Sequence, residues 1–281
     1  MAVDYIIHLE CPPKLHFGEG DAFAGTNTLM SLVKARNRAD LLAEMAARDG
    51  KRPEEMNVVL RTVGPGGDAE AREVTWTELA AAAAPLASQE EHCRACPANF
   101  LGHAYGCYGA TNYPVPRMAE EWIMSRLQLA DQVGGFLCLR MIADFGYDGA
   151  PIQNMRRTGL FEASAPVSKV LQKGFLSKKS VDSNQVLQAI LAISEPLDPS
   201  HVMGVLVWIG GIALDGAVPT SLCDAPSLQA LSQLDGFAER SARTRLELGP
   251  PSDDPGIAGM QRLLAGLYAA FLNNAPTLVW P

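Results

Sequence analysis

The segment His92–Pro116 reads HCRACPANFLGHAYGCYGATNYPVP, and the secondary-structure signals before it differ from those after it. Glycine, proline and aromatic residues dominate the segment, and neither a helical nor a strand period runs through it. A connection of this length needs an anchor beyond its own backbone hydrogen bonds. The segment also holds three of the six cysteines of the chain, so its thiols are the first candidates for that anchor.

Strand and helix signals alternate in the part of the chain that precedes this segment. Residues 3–11 have the β-branched and aromatic centre of a strand, and residues 57–63 and 72–76 predict a hairpin. A helix is predicted to end at Gly50 in the left-handed conformation, with Asp40 as the cap of a second helical piece. Together these signals predict a small sheet packed with helices.

The part of the chain that follows is predicted to be mainly helical. Apolar residues recur at three- and four-residue spacing between Pro255 and Asn273, which is the clearest helical pattern in the sequence. The apolar run Val202–Leu214 is too short for its period to decide between a helix and a strand.

The sequence therefore predicts an α+β fold with two parts. Residues 1–116 form a small sheet-plus-helix region, which includes a loop rich in Cys, Gly and aromatic residues at 92–113. Residues 117–281 form a mainly α-helical region.

Composition limits the class of protein. The 281-residue chain is 48% hydrophobic and 19% charged, which excludes disorder as its main state. Its net charge of −8 disfavours electrostatic binding to nucleic acid or to an anionic membrane. The N-terminus lacks the pattern of a signal peptide, and the longest apolar run is shorter than the roughly 20 residues of a membrane-spanning helix. We expect a cytoplasmic protein with no membrane span.

Three cysteines of the opening segment have the spacing of a metal site. Cys93 and Cys96 form a Cys-x2-Cys pair, which lets one tight turn direct two thiolates at a single ion, and Cys107 follows along the loop. With His103 as the fourth ligand, or His92 in its place, the set is the Cys3His group of a structural zinc site. The free energy of zinc binding replaces the hydrophobic core that the loop lacks. The sequence thus predicts zinc on this loop.

Other uses of these thiols stay open from the sequence. An iron–sulfur cluster is less favoured because a four-iron cluster takes four cysteines and only three lie close, although Cys11 or Cys138 is available across the fold. In an enzyme, Cys96 or Cys107 acts as a nucleophile activated by His103, or the metal activates a water molecule. In a redox sensor, the Cys-x2-Cys pair cycles between dithiol and disulfide. In the simplest alternative, the cysteines of the loop are buried thiols with only a structural role.

A basic segment in the second part is a candidate binding surface. Its six basic residues stand against one acid, Glu162. They are Arg156, Arg157, Lys169, Lys173, Lys178 and Lys179. The structural interpretation is a solvated helix face, and the functional one is a site for an acidic protein surface or a small anion. Single-stranded nucleic acid is disfavoured because only Phe161 and Phe175 offer aromatic platforms there.

These features combine into one functional expectation. Residues 92–116 contain no Asp or Glu, so the cysteine-rich segment brings no carboxylate general base with its thiols. We therefore expect a non-catalytic interaction or regulatory protein, in which zinc fixes the loop. Its basic segment then contacts a protein partner or a second copy of the chain.

Overall fold

The computed structural model of the chain describes residues 3–63, 69–173, 178–191, 196–214 and 236–280. Its contacts divide the chain into two compact units, Glu10–Tyr108 and Ala2–Leu9 with Gly109–Pro281. Helix accounts for 55% and strand, in small sheets, for 16%, so the predicted α+β class is confirmed. None of the helices in the described ranges is long and apolar enough to cross a bilayer.

The elements are numbered along the chain. The strands are β1 (Asp4–Ile7), β2 (Asn57–Val63), β3 (Ala69–Thr75), β4 (Tyr108–Ala110), β5 (Ser168–Lys173), β6 (Lys178–Asp182), β7 (Ile212–Leu214), β8 (Thr244–Leu246) and β9 (Thr277–Trp280). The helices are α1 (Pro12–Phe17), α2 (Ala22–Asp49), α3 (Trp76–Ala83), α4 (Glu90–Arg94), α5 (Arg117–Arg126), α6 (Val133–Asp144), α7 (Ala150–Arg157), α8 (Ser183–Leu191), α9 (Pro199–Trp208), α10 (Gly236–Arg243) and α11 (Pro255–Leu272). One sheet has the order β4-β1-β9, and the pairs β2-β3, β5-β6 and β7-β8 are antiparallel.

Helix α2 dominates the first unit and runs unbroken for 28 residues. Asp21 caps its start by accepting backbone hydrogen bonds in the first turn, and Gly50 ends it at φ +67° in the left-handed conformation that the sequence predicts. Asp40 does not begin a second helical piece as predicted. Its carboxylate pairs with Arg36 one turn earlier, and the apolar stripe continues past it through buried Leu42.

The predicted hairpin of the first unit is confirmed as β2 and β3. Asn57 lies opposite Thr75 in the register, and Thr75 then caps α3 through a reciprocal capping box with Glu78. A small apolar cluster joins this hairpin to α2 and α3. Its buried members are Ala35, Ala39, Leu42, Val74 and Leu79.

Helices α8, α9 and α11 supply much of the apolar core of the second unit. The periodic pattern correctly predicts α11, whose first turn is capped by the carboxylate of Asp254. The run Val202–Leu214 contains both a helix and a strand, because α9 ends at Trp208 and the chain turns through Gly210 at φ +60° before β7. Helix α9 packs against α6 and α11, with Trp208 and Leu264 fully buried.

The basic segment lies only partly on a helix. Arg156 and Arg157 end α7, whereas Lys169 to Lys179 belong to the β5-β6 hairpin. In this hairpin Lys173 lies opposite Lys178 in the register, and the turn between the strands is outside the described residues. A solvated helix face therefore does not describe this segment.

Candidate thiol site

The Cys-x2-Cys pair lies on a single tight turn in the first unit. Cys93 occupies the last turn of α4, and the Cys96 N–H donates to the Cys93 carbonyl at 3.4 Å. The Asn99 N–H in turn donates to the Cys96 carbonyl at 2.9 Å. These two turns place Cys93 and Cys96 close together along the chain.

The side chain of Asn99 holds the loop between Cys96 and Cys107. Its Nδ2 donates to the Cys93 carbonyl at 2.9 Å, and its Oδ1 accepts from the Gly102 N–H at 3.0 Å. A Cβ added at Gly106 falls 2.0 Å from this same Oδ1, so the loop closes on Asn99 only with glycine there. The next residue, Cys107, is buried.

A fourth cysteine reaches the same place from the start of the first unit. Cys11 is the N-cap residue of α1, and α1 packs against α4. Every pair among Cys11, Cys93, Cys96 and Cys107 interacts electrostatically. All four are free thiols, with Cys93 and Cys107 buried and Cys11 and Cys96 half-buried. We call these four residues the thiol cluster.

The two histidines that the sequence predicts as ligands are more exposed than the cysteines of the thiol cluster. His92 and His103 are both exposed, and the His103 Nδ1 lies 3.0 Å from the carbonyl oxygen of the next residue. Cys138 belongs to the second unit, and Cys223 falls outside the described residues. Across the described ranges, no three or more His, Cys, Asp or Glu side chains are arranged to hold a metal ion as they stand.

Burial makes the thiolate forms of the cluster unfavourable. It raises the pKa of Cys93 to about 12 and that of Cys107 to about 11, and it also raises the pKa of Cys11. The like charges of the other thiolates act in the same direction. Without a metal, Cys93 and Cys107 are therefore protonated thiols at neutral pH.

Three backbone amides and one ammonium group oppose this effect. The amide of Lys14 favours the thiolate of Cys11, the amide of Tyr105 that of Cys93, and the amide of Cys107 its own thiolate. The Lys14 ammonium lowers the pKa of both Cys11 and Cys107. The cluster thus combines buried thiols with groups that stabilise negative charge on sulfur.

Lys14 itself is an unusual residue, because only 1% of it is exposed. Burying an ammonium group is costly unless negative charge or hydrogen bonds compensate it. The sequence carries no sign of this burial, since Lys14 follows two prolines in a stretch without recognisable periodicity. Its importance is visible only once α1 is placed beside the cysteines.

Tyr105 forms a second fixed point of the loop. It is buried, adopts a left-handed φ of +63°, and its hydroxyl donates to the Leu86 carbonyl. The Arg36 guanidinium lies 5.7 Å from the centre of its ring. Burial raises the pKa of Tyr105 to about 12, so the ring is a neutral hydrogen-bond donor.

The most buried member of the basic segment has its counter-charge within the second unit. The Arg156 guanidinium binds Glu120 through two contacts of 2.5 and 2.9 Å, and its Nε donates to Asn184 Oδ1 at 2.6 Å. The side chains of Arg156 and Glu120 are 1% and 0% exposed. This pair is part of the interior and is not available to an external anion.

The other basic residues divide into anchored and exposed ones. Lys169 is half-buried and donates through Nζ to the carbonyls of Ser125 and Leu127 at 2.8 and 2.6 Å. Burial lowers the pKa of Lys169. Arg157, Lys178 and Lys179 are exposed, and the side chain of Lys173 is outside what the structure describes. The accessible basic surface is therefore smaller than the sequence predicts.

Comparisons with known proteins add no functional assignment. Searches of protein-family models, curated proteins and solved structures found no match to the chain. The functional argument therefore depends on the chemistry of the thiol cluster and of the exposed lysines.

Proposed function

We propose that the first unit binds a metal centre through the thiolates of Cys11, Cys93, Cys96 and Cys107, and that the protein is a non-catalytic interaction protein built around this centre. The observation that carries the proposal is the convergence of four cysteines from two distant stretches of one compact unit. Compared with the expectation from sequence, Cys11 replaces His103 as the fourth ligand.

The energetics of the thiol cluster support a metal. Four neighbouring thiolates repel one another, and burial already disfavours the charged forms of Cys11, Cys93 and Cys107, so a cation is needed to hold the four deprotonated together. The amides of Lys14, Tyr105 and Cys107 stabilise negative charge on the cysteine sulfurs, as hydrogen-bond donors around metal-bound thiolates do. Metal binding would also supply free energy that orders the loop, in addition to the contacts of Asn99 and Tyr105.

Metal analysis combined with chelation tests this proposal. The full chain is purified anaerobically, its metals are quantified, and hydrogen exchange is followed before and after removal of the metal. We expect bound metal, and on its removal at least a tenfold rise in exchange rates over residues 93–108 with α8, α9 and α11 unchanged. Cys107→Ser should lose the metal, whereas Cys138→Ser, a cysteine of the second unit, should retain it. Protein that binds no metal under these conditions contradicts the proposal.

The nucleophile alternative has less support from the cluster. A catalytic thiol needs a depressed pKa and a neighbouring base, but burial raises the pKa of Cys107 to about 11, and His103 is exposed and faces a carbonyl. Iodoacetamide should therefore label Cys93 and Cys107 of the metal-free protein more slowly than a free cysteine does. Rapid labelling of either residue would favour the enzyme, and a reversible disulfide between Cys93 and Cys96 would favour the redox sensor.

The partner surface proposed for the second unit is the exposed part of the β5-β6 hairpin. Lys178 and Lys179 are adjacent and exposed, and Lys178 lies opposite Lys173 in the register, an arrangement of like charges that costs a hairpin stability. Such a cost is repaid when an acidic protein surface binds there. A peptide of glutamates should bind the wild type at low salt and lose at least fivefold in affinity with K178E/K179E. The Lys51→Glu variant, in the first unit, should bind as the wild type does.

A further inference from the structure

A cavity opens on the second unit between α11 and the segment that follows β8. Its volume is about 380 Å³, within the range of roughly 300–1,000 Å³ that small-molecule sites in proteins have. The lining is mostly apolar, and its apolar side chains are Leu246, Leu248, Pro251, Ala258 and Ala265. The cavity therefore has the size and the lining of a site for a small apolar group.

The walls of this cavity are held by hydrogen bonds from Gln261. Its Nε2 donates to the carbonyls of Leu248 and Pro250 at 3.4 and 2.9 Å. Its Oε1 accepts from the Ser252 N–H at 3.1 Å. These contacts fix residues 248–252 against α11, so the cavity exists before any ligand binds, as small-molecule sites usually do.

The wall that α11 supplies carries one cation between two small residues. Ala258 and Ala265 lie two turns apart on the same helix face, and Arg262 lies between them. The two alanines leave space beside the helix. Arg262 is exposed and is the charged residue among the described lining residues.

The guanidinium of Arg262 has no ion-pair or hydrogen-bond partner in the part of the chain that the structure describes. Other exposed arginines of the second unit differ in this respect. Arg140, Arg243 and Arg245 contact carboxylate oxygens at 3.0, 3.9 and 2.7 Å. Arg262 thus keeps its donors available beside an apolar cavity, where a carboxylate can accept two parallel hydrogen bonds from it.

From this combination we propose that the second unit binds a medium-chain alkanoate, with the hydrocarbon chain in the cavity and the carboxylate on Arg262. The chain leaves water for an apolar lining, and the single guanidinium matches the single charge of a carboxylate. A phosphate or a nucleotide would call for further donors, and Gln261 already uses its amide on the backbone. The site lies in a different unit from the thiol cluster and goes beyond the proposed metal centre.

Calorimetric titration of the full chain with octanoate tests the proposal, with 1-octanol as the uncharged ligand of equal chain length. We expect one octanoate per chain, bound at least fivefold more tightly than 1-octanol. Affinity should rise from hexanoate to octanoate, because each added methylene buries more apolar surface. Equal affinity for octanoate and 1-octanol, or no binding of octanoate, overturns the proposal. So does a peptide ending in two leucines that binds more tightly than octanoate and loses its affinity on C-terminal amidation.

Variants of the charge locate the carboxylate. Arg262→Gln should weaken octanoate binding at least fivefold and leave the binding of 1-octanol unchanged. Arg140→Gln, another exposed arginine of the second unit, should bind octanoate as the wild type does. Full octanoate affinity in the Arg262 variant overturns the assignment of this residue and the proposal with it.

Variants of the volume locate the hydrocarbon chain. Ala265→Phe fills the cavity and should lower octanoate affinity at least tenfold, whereas Ala242→Phe, at an exposed position of α10, should not. Unchanged affinity in a folded Ala265 variant overturns the placement of the chain, and if that variant does not fold, the Arg262 variant and the 1-octanol comparison still decide. Cys107→Ser should bind octanoate as the wild type does, so failure of the metal centre and failure of this site are distinguishable.

Discussion

The two units of this protein are stabilised in different ways. In the second, α8, α9 and α11 bury large apolar side chains such as Trp208, Leu206 and Leu264 completely. In the first, the apolar cluster that joins α2, α3 and the β2-β3 hairpin consists of two alanines, two leucines and a valine, and α2 also buries Leu29. The loop after α4 is held by its turns, by Asn99 and by buried Tyr105. Apolar burial stabilises in proportion to area, so the second unit has the larger reserve.

The comparison shows where each unit is vulnerable. The described interior of the second unit contains the buried ion pair of Arg156 with Glu120, and removing either partner leaves an uncompensated charge in an apolar core. The first unit depends on polar contacts of the loop and on the thiol cluster. Substitutions in the second unit should therefore unfold it cooperatively, whereas those in the first should loosen one segment.

The largest effect is expected from Glu120→Gln in the second unit. The change leaves the Arg156 guanidinium buried without its counter-charge, which should cost about 3–5 kcal/mol of unfolding free energy. Urea denaturation of the variant measures this loss. Glu121→Gln is the matched control: Glu121 is exposed and pairs with Arg117 on the helix surface, and its loss should cost about 0.5 kcal/mol. Equal effects of the two substitutions would contradict the role of the buried pair.

Asn99→Ala should produce the next largest effect, confined to the first unit. The substitution leaves the Cys93 carbonyl and the Gly102 N–H without their partner, at a cost of about 1–3 kcal/mol to the local structure. Hydrogen exchange should accelerate over residues 93–108, and bound metal should be released faster to a chelator. Asn37→Ala, an exposed change on α2, should alter neither. Acceleration that extended into α9 would contradict the local character of the loop.

The sequence predicts best what is decided locally. The β2-β3 hairpin, the end of α2 at Gly50 and the whole of α11 are encoded by turn residues, a left-handed glycine and a 3.6-residue period. Asp40 misleads because a capping residue is also a good partner for Arg36 one turn earlier on the same helix. Local signals alone do not say which of these two roles it takes.

The candidate site could be predicted only in part, because its remaining members come from elsewhere in the chain. The Cys-x2-Cys spacing and Cys107 are visible in one segment, but the approach of Cys11 depends on α1 packing against α4. The same limit applies to charge: Arg156 counts as a surface residue in the sequence, and its burial depends on Glu120 of α5. Both errors concern tertiary partners and not residue types.

Thr75→Ala tests the secondary-structure framework of the first unit with a smaller effect. The Thr75 side chain accepts the Glu78 N–H, and the Glu78 carboxylate accepts the Thr75 N–H, so the change removes a capping box at a cost of about 1 kcal/mol. Hydrogen exchange in the first turn of α3 should rise several-fold, with metal content unchanged. Thr77→Ala, two residues further on and exposed, is the control and should leave exchange there as in the wild type.

The smallest effect is a pH dependence in the second unit. The His201 ring donates through Nε2 to the Ala189 carbonyl at 2.8 Å and packs edge-on against Phe145 and Tyr147. Burial lowers its pKa below the usual value of about 6.5, so as the pH falls through 6.5 the unfolded chain takes up a proton that the folded unit resists.

Stability should therefore be fully present above about pH 6.5 and should decrease below it, until the folded form also protonates. His201→Gln keeps a hydrogen-bond donor and removes the titration, so urea midpoints measured from pH 7 to 5 should fall less steeply than in the wild type. His103→Gln, an exposed histidine of the first unit, should keep the wild-type slope. A slope that depends on His103 instead would assign the pH sensitivity to the thiol-bearing unit, against the distinction between the two units.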